Sequence, residues 1–292
     1  MNSTEAYARC AALAKSHYEN FPVGRLVGKK LRPHVHAIYA FARVADDLAD
    51  EGYEQKDGAP PLTQEQRTDA LLRYQGQLDA ALKGQPLEAE TEWIFLPLVD
   101  TARRFDLPES LFYDLLSAFQ QDVVKRRYAT FAEVLDYSRR SANPIGRLVL
   151  YLHGYRRAEE SRLSDLICTA LQLANFWQDV AVDLLKDRIY LPQEDMRKFG
   201  VSEEQLFAKR ADESFRRCLE FQVKRTWELF HQGRGLPRRL KKGLGWEIRL
   251  TWLGGTAILK KIERQNYDTL TRRPKLTKWD MLRLLPWAWL TR

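Results

Sequence analysis

The sequence predicts an all-α protein folded as a single domain, and three observations carry that expectation. Apolar residues recur at spacings of three and four along nearly the whole chain, while few segments alternate with period two. The 15 Gly and 12 Pro are sparse for 292 residues and gather in short breaks between periodic stretches. Hydrophobic residues make up 45% and charged residues 29%, ample for a sizeable core and too apolar for a disordered chain.

The periodicity places helices in order near 4–19, 33–51, 63–83, 88–104, 108–123, 131–152, 159–186, 202–232 and 237–265. The second stops at the one long connection, from Gly52 to Pro61, whose composition reads as a flexible surface loop. The third closes at Lys83–Gly84–Gln85–Pro86. The sixth contains Asn143–Pro144, and a proline inside a helix should kink it. The seventh is apolar nearly all round and is therefore expected at the centre of the fold. Turn residues from Gly233 to Pro237 separate the last two. With no linker and no repeat, the reading is one domain over 1–278 and a short amphipathic segment over 279–292.

Lys and Arg number 47 against 39 Asp and Glu, a net charge of +8, which favours anionic partners. Cys10, Cys168 and Cys218 lie far apart, with neither disulfide nor zinc spacing, so a reducing cytoplasm is the expected compartment. The N-terminus lacks the layout of a signal peptide. No run of about 18 apolar residues is present to cross a membrane.

Chemistry concentrates in two acidic stripes. Within LICTALQLANFWQDVAVDLL (166–185) the only charged residues are Asp179 and Asp183, with no Lys or Arg inside the segment to pair them. On a continuous helix a spacing of four sets them about 40° apart on one face. Gln172 and Asn175 extend that face. Buried carboxylates without partners are costly, so the stripe should face water or a cation. The earlier segment VHAIYAFARVADDLADE (35–51) repeats the pattern, with Tyr39, Arg43, Asp46 and Asp50 on one helical face. One D-x-x-x-D is ordinarily a solvated acidic face. Two, each on an otherwise apolar helix, match the way Mg²⁺ bridges a few carboxylates to a substrate phosphate.

YAFARVADDLAD and QLANFWQDVAVDLLKDRIYLP resemble the squalene/phytoene synthase family, over about His17 to Pro274. The resemblance implies the isoprenoid-synthase helical bundle with a central active-site cavity. It implies Asp46, Asp50, Asp179 and Asp183 as ligands of Mg²⁺ and of substrate diphosphate. By the same carry-over Arg43, Arg188, Tyr39, Gln172, Asn175 and Tyr190 line the site, and Tyr137 stands near the reacting carbons. HYENFPVG (17–24), LRPHVHAIYAFAR (31–43), SANPIGR (141–147), NFWQDVAVD (175–183) and GLGWEIRLTWLGGTAIL (243–259) are most similar to the bacterial hydroxysqualene synthases of hopanoid biosynthesis. Three features depart from the broader family pattern: Gln178 stands where N-x-x-R-D has Arg, Tyr18, Glu19 and Asn20 replace small hydroxyl residues, and Asn143–Pro144 stands where the family generally has small residues.

The subfamily likeness implies presqualene diphosphate as substrate. Ionisation would leave a cyclopropylcarbinyl cation, and one water would capture it to give hydroxysqualene and diphosphate. Asn143, Tyr137 and Tyr18 are the candidates to position that water. No G-x-G-x-x-G follows a strand, which argues against a Rossmann-type nicotinamide site. Two alternatives stand beside this reading: condensation of two prenyl diphosphates to presqualene diphosphate, squalene or phytoene, and a non-catalytic lipid-binding or assembly factor. The missing Arg and the SANPIGR stretch argue against the first, and the four intact aspartates against the second.

His34 and His36 sit two apart, which on a helix points them away from each other, so structural roles are expected rather than a zinc site. The basic runs at Arg238–Arg239 and Arg272–Arg273 accompany no nucleic-acid motif and read as solvated faces or lipid contacts. Phe119, Phe176 and Trp177 read first as core. The C-terminal KWDMLRLLPWAWLTR (278–292) mixes Trp, Leu and basic residues, the composition of an interfacial anchor. It could equally fold back over the protein's own core. Partners are thus expected to be presqualene diphosphate, neighbouring enzymes of hopanoid synthesis and the inner face of the cytoplasmic membrane, with no nucleic acid.

Overall fold

The computed structural model describes residues 2–16, 28–50, 62–277, 279–280, 282–283 and 286, and the described residues form helices and no strand. One isolated parallel bridge joins Arg127 to Ile189. The predicted loop from Gly52 to Pro61, the HYENFPVG stretch with Tyr18, and residues 287–292 lie outside the described residues. Residues 1–124 with 147–156 make one compact unit, and 125–146 with 157–292 make another.

The first unit holds α1 (Ser3–Ser16), α2 (Arg32–Asp50), α3 (Gln64–Leu82), α4 (Glu92–Phe105) and α5 (Ser110–Val124). Helix α2 packs against the other four, as its apolar stripe requires. Phe41 stacks on Tyr74 at 5.6 Å and meets Phe112 edge-on at 5.6 Å, and the Tyr74 hydroxyl donates to the Phe41 carbonyl at 3.1 Å. Burying a Phe of this kind contributes about 1.5–3 kcal/mol. The C-terminal end of α2 is held from outside: buried Arg67 on α3 donates to the Ala49 carbonyl at 2.7 Å. Thr63 starts α3 with a reciprocal capping box to Gln66. His34 is structural, as expected, since its Nδ1 sits 2.8 Å from the Thr101 hydroxyl.

The second unit holds α6 (Phe131–Ser141), α7 (Asn143–Leu152, whose later residues belong to the first unit), α8 (Ala158–Gln178), α9 (Val180–Asp183), α10 (Gln193–Phe199), α11 (Glu203–Phe207), α12 (Glu213–Gly233), α13 (Leu236–Arg239) and α14 (Lys242–Arg264). Helix α8 is central, packed by α6, α12, α13 and α14. The fully buried Trp177 donates its Nε1–H to the Thr226 hydroxyl at 2.8 Å. Close approach needs glycine at Gly255, where a Cβ would lie 2.6 Å from both Leu171 and Phe230.

Four expected helices are divided, and the last of them, 237–265, breaks at Leu240 and Lys241, which are extended between α13 and α14. The 131–152 helix breaks at Ala142, and Pro144 becomes the second residue of α7, where its missing N–H costs nothing. The 202–232 helix breaks between α11 and α12, where Lys209 takes the left-handed conformation and Asp212 caps the restart. The 159–186 helix ends at Gln178 and restarts at Val180. The short α10, which follows a loop rather than a long apolar run, was not expected from periodicity.

Candidate active site

In the first unit, Tyr39, Arg43, Asp46 and Asp50 are all half-buried, whereas Ile38, Phe41, Ala45 and Ala49 between them are buried. The stripe therefore runs along the wetter side of α2, as the spacing predicts. Arg43 reaches Asp46 at 3.6 Å and forms a closer ion pair with Asp47, so it braces the acidic end of its own helix.

In the second unit the acidic pair does not lie on an uninterrupted helix. Asp179 is the cap between α8 and α9 with φ −105° and ψ 13°. One helical turn survives the break, because the Asp183 N–H still donates to the Asp179 carbonyl at 2.9 Å. Asp179 is only 8% exposed, and it is not left without a counter-charge. Arg273 forks onto both of its carboxylate oxygens, one of the two bonds measuring 2.9 Å, and Asn175 donates to it at 3.1 Å. The Asp179 carboxylate in turn pushes the Arg273 guanidinium pKa above its ordinary value. Next to it, Gln178 donates to the Pro274 carbonyl at 2.7 Å. The irregular run 272–274 is thus pinned at the helix break. This corrects the expectation that Arg273 belongs to a solvated basic face, and it supplies from outside the segment the cation that the buried acids call for.

Asp183, Arg188, Tyr190 and Phe176 share a cavity of about 10 Å³, room for one water. Four aromatic rings are gathered beside it. Tyr190 stacks on Phe176 at 3.7 Å and on Tyr128 at 5.4 Å, and Tyr137 lies 5.8 Å from Phe176 and 5.9 Å from Tyr190. The segment that delivers Arg188 and Tyr190 is anchored by Asp187, a non-glycine residue at φ 53°. Its carboxylate accepts from Arg126 at 2.8 Å and Arg127 at 2.7 Å, bonds that offset a left-handed strain of roughly 1–2 kcal/mol. Backbone bonds from Ile189 to Arg126 (2.9 Å) and from Gln193 to Tyr128 (2.8 Å) hold the same segment. Asn143 belongs to another contact: its side-chain oxygen accepts from Thr169 at 3.0 Å and ties the start of α7 to α8. Gln172 is half-buried, one turn before Asn175 and Phe176 on α8.

A family model, squalene/phytoene synthase, matches residues 13–280. The chain belongs to the squalene/phytoene synthase family. Similar proteins in that family include a hydroxysqualene synthase of Sinorhizobium fredii, 34% identical over 90% of this chain and 85% of the relative. A 15-cis-phytoene synthase of Synechococcus elongatus is 28% identical over 98% of this chain and 93% of the relative. Among solved structures, the squalene synthase HpnC of Alicyclobacillus acidocaldarius superposes with a TM-score of 0.80 at 38% identity, over 91% of this chain and 96% of that one. The helical fold expected from the sequence is thus the fold of the family.

Within this squalene/phytoene synthase chain, sequence reasoning passed over Tyr128, took Arg273 for part of a basic surface run, and read Phe176 first as core. No local spacing connects Arg273 to Asp179, 94 residues away. For Tyr128 the one signal is its place in RRY, just before the predicted sixth helix. Among the described residues no three His, Cys, Asp or Glu side chains gather as a ready-made metal cage. The chain offers oxygen-donor pairs one turn apart, Asp46 with Asp50 and Asp179 with Asp183. Such a donor set fits Mg²⁺, which keeps waters and takes further oxygens from phosphate.

Proposed function

We propose that the chain converts presqualene diphosphate and water to hydroxysqualene and diphosphate. The observation that carries this reading is the higher identity to hydroxysqualene synthase (34%) than to phytoene synthase (28%). The residue Gln178 supports it, because its amide is spent on the Pro274 carbonyl where the condensing pattern carries an Arg. In the proposed reaction the C–O bond to diphosphate breaks, and the leaving group keeps the electron pair. The cation rearranges, and a water oxygen bonds to the carbon at which the three-membered ring opens. The electron pair of the broken ring C–C bond becomes the new double bond, and the water's proton passes to solvent or to the departing diphosphate.

Asp46, Asp50, Asp179 and Asp183 are assigned to hold Mg²⁺, which when bound neutralises charge on the leaving diphosphate. Arg43 and Arg188 are assigned to add fixed positive charge toward substrate diphosphate, and Tyr39, Gln172 and Asn175 to supply hydrogen bonds. Tyr137, packed with Phe176 and Tyr190, is assigned to stand near the developing cation, and Tyr190 to line the site. Asn143 and Tyr137 are assigned to place the water. On this reading the chain's partners are its C30 diphosphate substrate and the enzymes before and after it in hopanoid synthesis, in the cytoplasm.

The phytoene synthase likeness over 98% of the chain favours a second reading, head-to-head condensation of two prenyl diphosphates. One incubation separates them. Purified protein with presqualene diphosphate and Mg²⁺, without a nicotinamide, should form hydroxysqualene carrying label from ¹⁸O-water. Product formation at a comparable rate from two farnesyl diphosphates would select condensation instead.

A further inference from the structure

We propose that the groove between α1 and the start of α2 binds a phosphate or diphosphate group. The groove has a volume of about 400 Å³, and all of its lining residues belong to the first unit. Four of them are basic. Lys15 comes from the last turn of α1, Lys29 from the turn before α2, and Arg32 and His36 from the start of α2 itself. No Asp or Glu is among the residues that line it. On α1 the wall includes Ala8 and Ala11, whose single methyl groups leave the space open.

The charges converge on one buried ring. His36 is 3% exposed, Arg32 is half-buried, and Lys15 and Lys29 are exposed at the rim. Burial lowers the His36 pKa, and the charges of Arg32 and Lys15, reaching it from two helices, lower it further. An anion seated in the groove relieves that mutual repulsion. The N-terminal end of the 19-residue α2 adds roughly half a positive charge at the same place. A guanidinium matches two phosphate oxygens at once, and ammonium groups serve as point charges beside it. At about 30 Å³ per water, the groove has room for a diphosphate and several waters. Asp46, the nearer acid of the α2 stripe, lies ten residues beyond His36, about 15 Å along the helix axis. That separation is longer than a diphosphate, so an anion held by the aspartates does not also fill the groove. Both a soluble phosphate compound and a lipid headgroup present this chemistry. The inference does not rest on the reaction proposed above.

The test uses the full chain in EDTA, so that no Mg²⁺ bridges diphosphate to the aspartates. Inorganic diphosphate should bind saturably in titration calorimetry. Lys15→Glu together with Lys29→Glu, both at exposed positions, should weaken that binding by about tenfold or more. The neutral pair Lys15→Gln with Lys29→Gln should weaken it in the same direction, which guards against a fold disturbed by the charge reversals. Lys83→Glu with Arg197→Glu makes the same charge change at exposed positions outside the groove, and should cost less than about twofold. Asp46→Asn should bind as the wild type does. Sedimentation with phosphatidylcholine vesicles containing phosphatidic acid forms the second arm. Loss of diphosphate binding in the groove variants assigns a soluble phosphate compound. Loss of sedimentation in those variants, when the wild type shows no saturable diphosphate binding, assigns a lipid headgroup. The proposal is overturned when the wild type binds neither probe or when the groove variants bind both undiminished. It is also overturned when the control pair loses as much as they do, which would leave only the net charge of +8.

Discussion

Arg273 closes on Asp179 from a segment with no secondary structure of its own, and this one contact sets both the charge and the backbone at the second acidic motif. Removing it with Arg273→Ala leaves a carboxylate that is 8% exposed with only Asn175 for support, and should lower stability by about 1–3 kcal/mol. Arg273→Lys should recover part of that, since an ammonium cannot fork onto two oxygens. If Asp179 holds the metal, Mg²⁺ should raise the melting temperature of Arg273→Ala more than that of the wild type. An equal shift in both would detach Asp179 from metal binding. Glu247 is the other carboxyl with a displaced equilibrium: burial raises its pKa to about 7. A folded-state pKa above the unfolded value near 4.3 means the folded protein binds more protons between the two. Stability from this group is therefore present below about pH 4.3 and is lost as pH rises to about 7. Glu247→Gln should melt higher than wild type at pH 8, with the gap closing toward pH 5; a gap independent of pH would exclude the assignment.

At the scale of elements, helix α8 organises the second unit, and its neighbours approach it through glycine. A Cβ at Gly146 would come within 2.5 Å of Cys168 Sγ and closer still to Ser164 Oγ, both on α8. Gly146→Ala should therefore force α7 outward and cost about 1–3 kcal/mol in chemical denaturation. Gly76, in the middle of α3, has nothing within 4 Å of its Cβ position. Gly76→Ala should instead stabilise by about 0.5–1 kcal/mol, because only the backbone entropy changes. Opposite signs for one chemical change, in one assay, test the packing directly. The same logic explains the divided helices. Periodicity reports which face is apolar, and it continues unbroken across Asp179 because Val180 and Leu184 keep the apolar phase. It carries no information about Arg273 and Pro274 acting on residues 178 and 179 from nearly a hundred positions away.

For the whole molecule, the charge of +8 and the two aspartate pairs fit an enzyme that handles a large anion. Carboxylates facing a diphosphate repel it unless divalent cations intervene. EDTA should abolish activity and Mg²⁺ restore it, and Asp46→Asn or Asp179→Asn should each lower turnover by about two orders of magnitude or more. Circular dichroism should show the fold of Asp46→Asn unchanged. Full activity in metal-free protein would remove the assignment. Among the described residues no helix is long and apolar enough to cross a membrane.

The sequence by itself determined the helical class, the order of the main helices, both acidic stripes and the family, because these depend on local periodicity and on contiguous motifs. The Tyr39–Asp50 stripe was fully legible, since one uninterrupted helix carries it. Only the tertiary structure decided that Asp179 has a guanidinium partner, that Asp187 is held left-handed by Arg126 and Arg127, and that Tyr128, Tyr137, Phe176 and Tyr190 share one cluster. Each of these joins residues from separate segments, and a contact between distant segments is set by how whole helices pack, a quantity that no local pattern encodes.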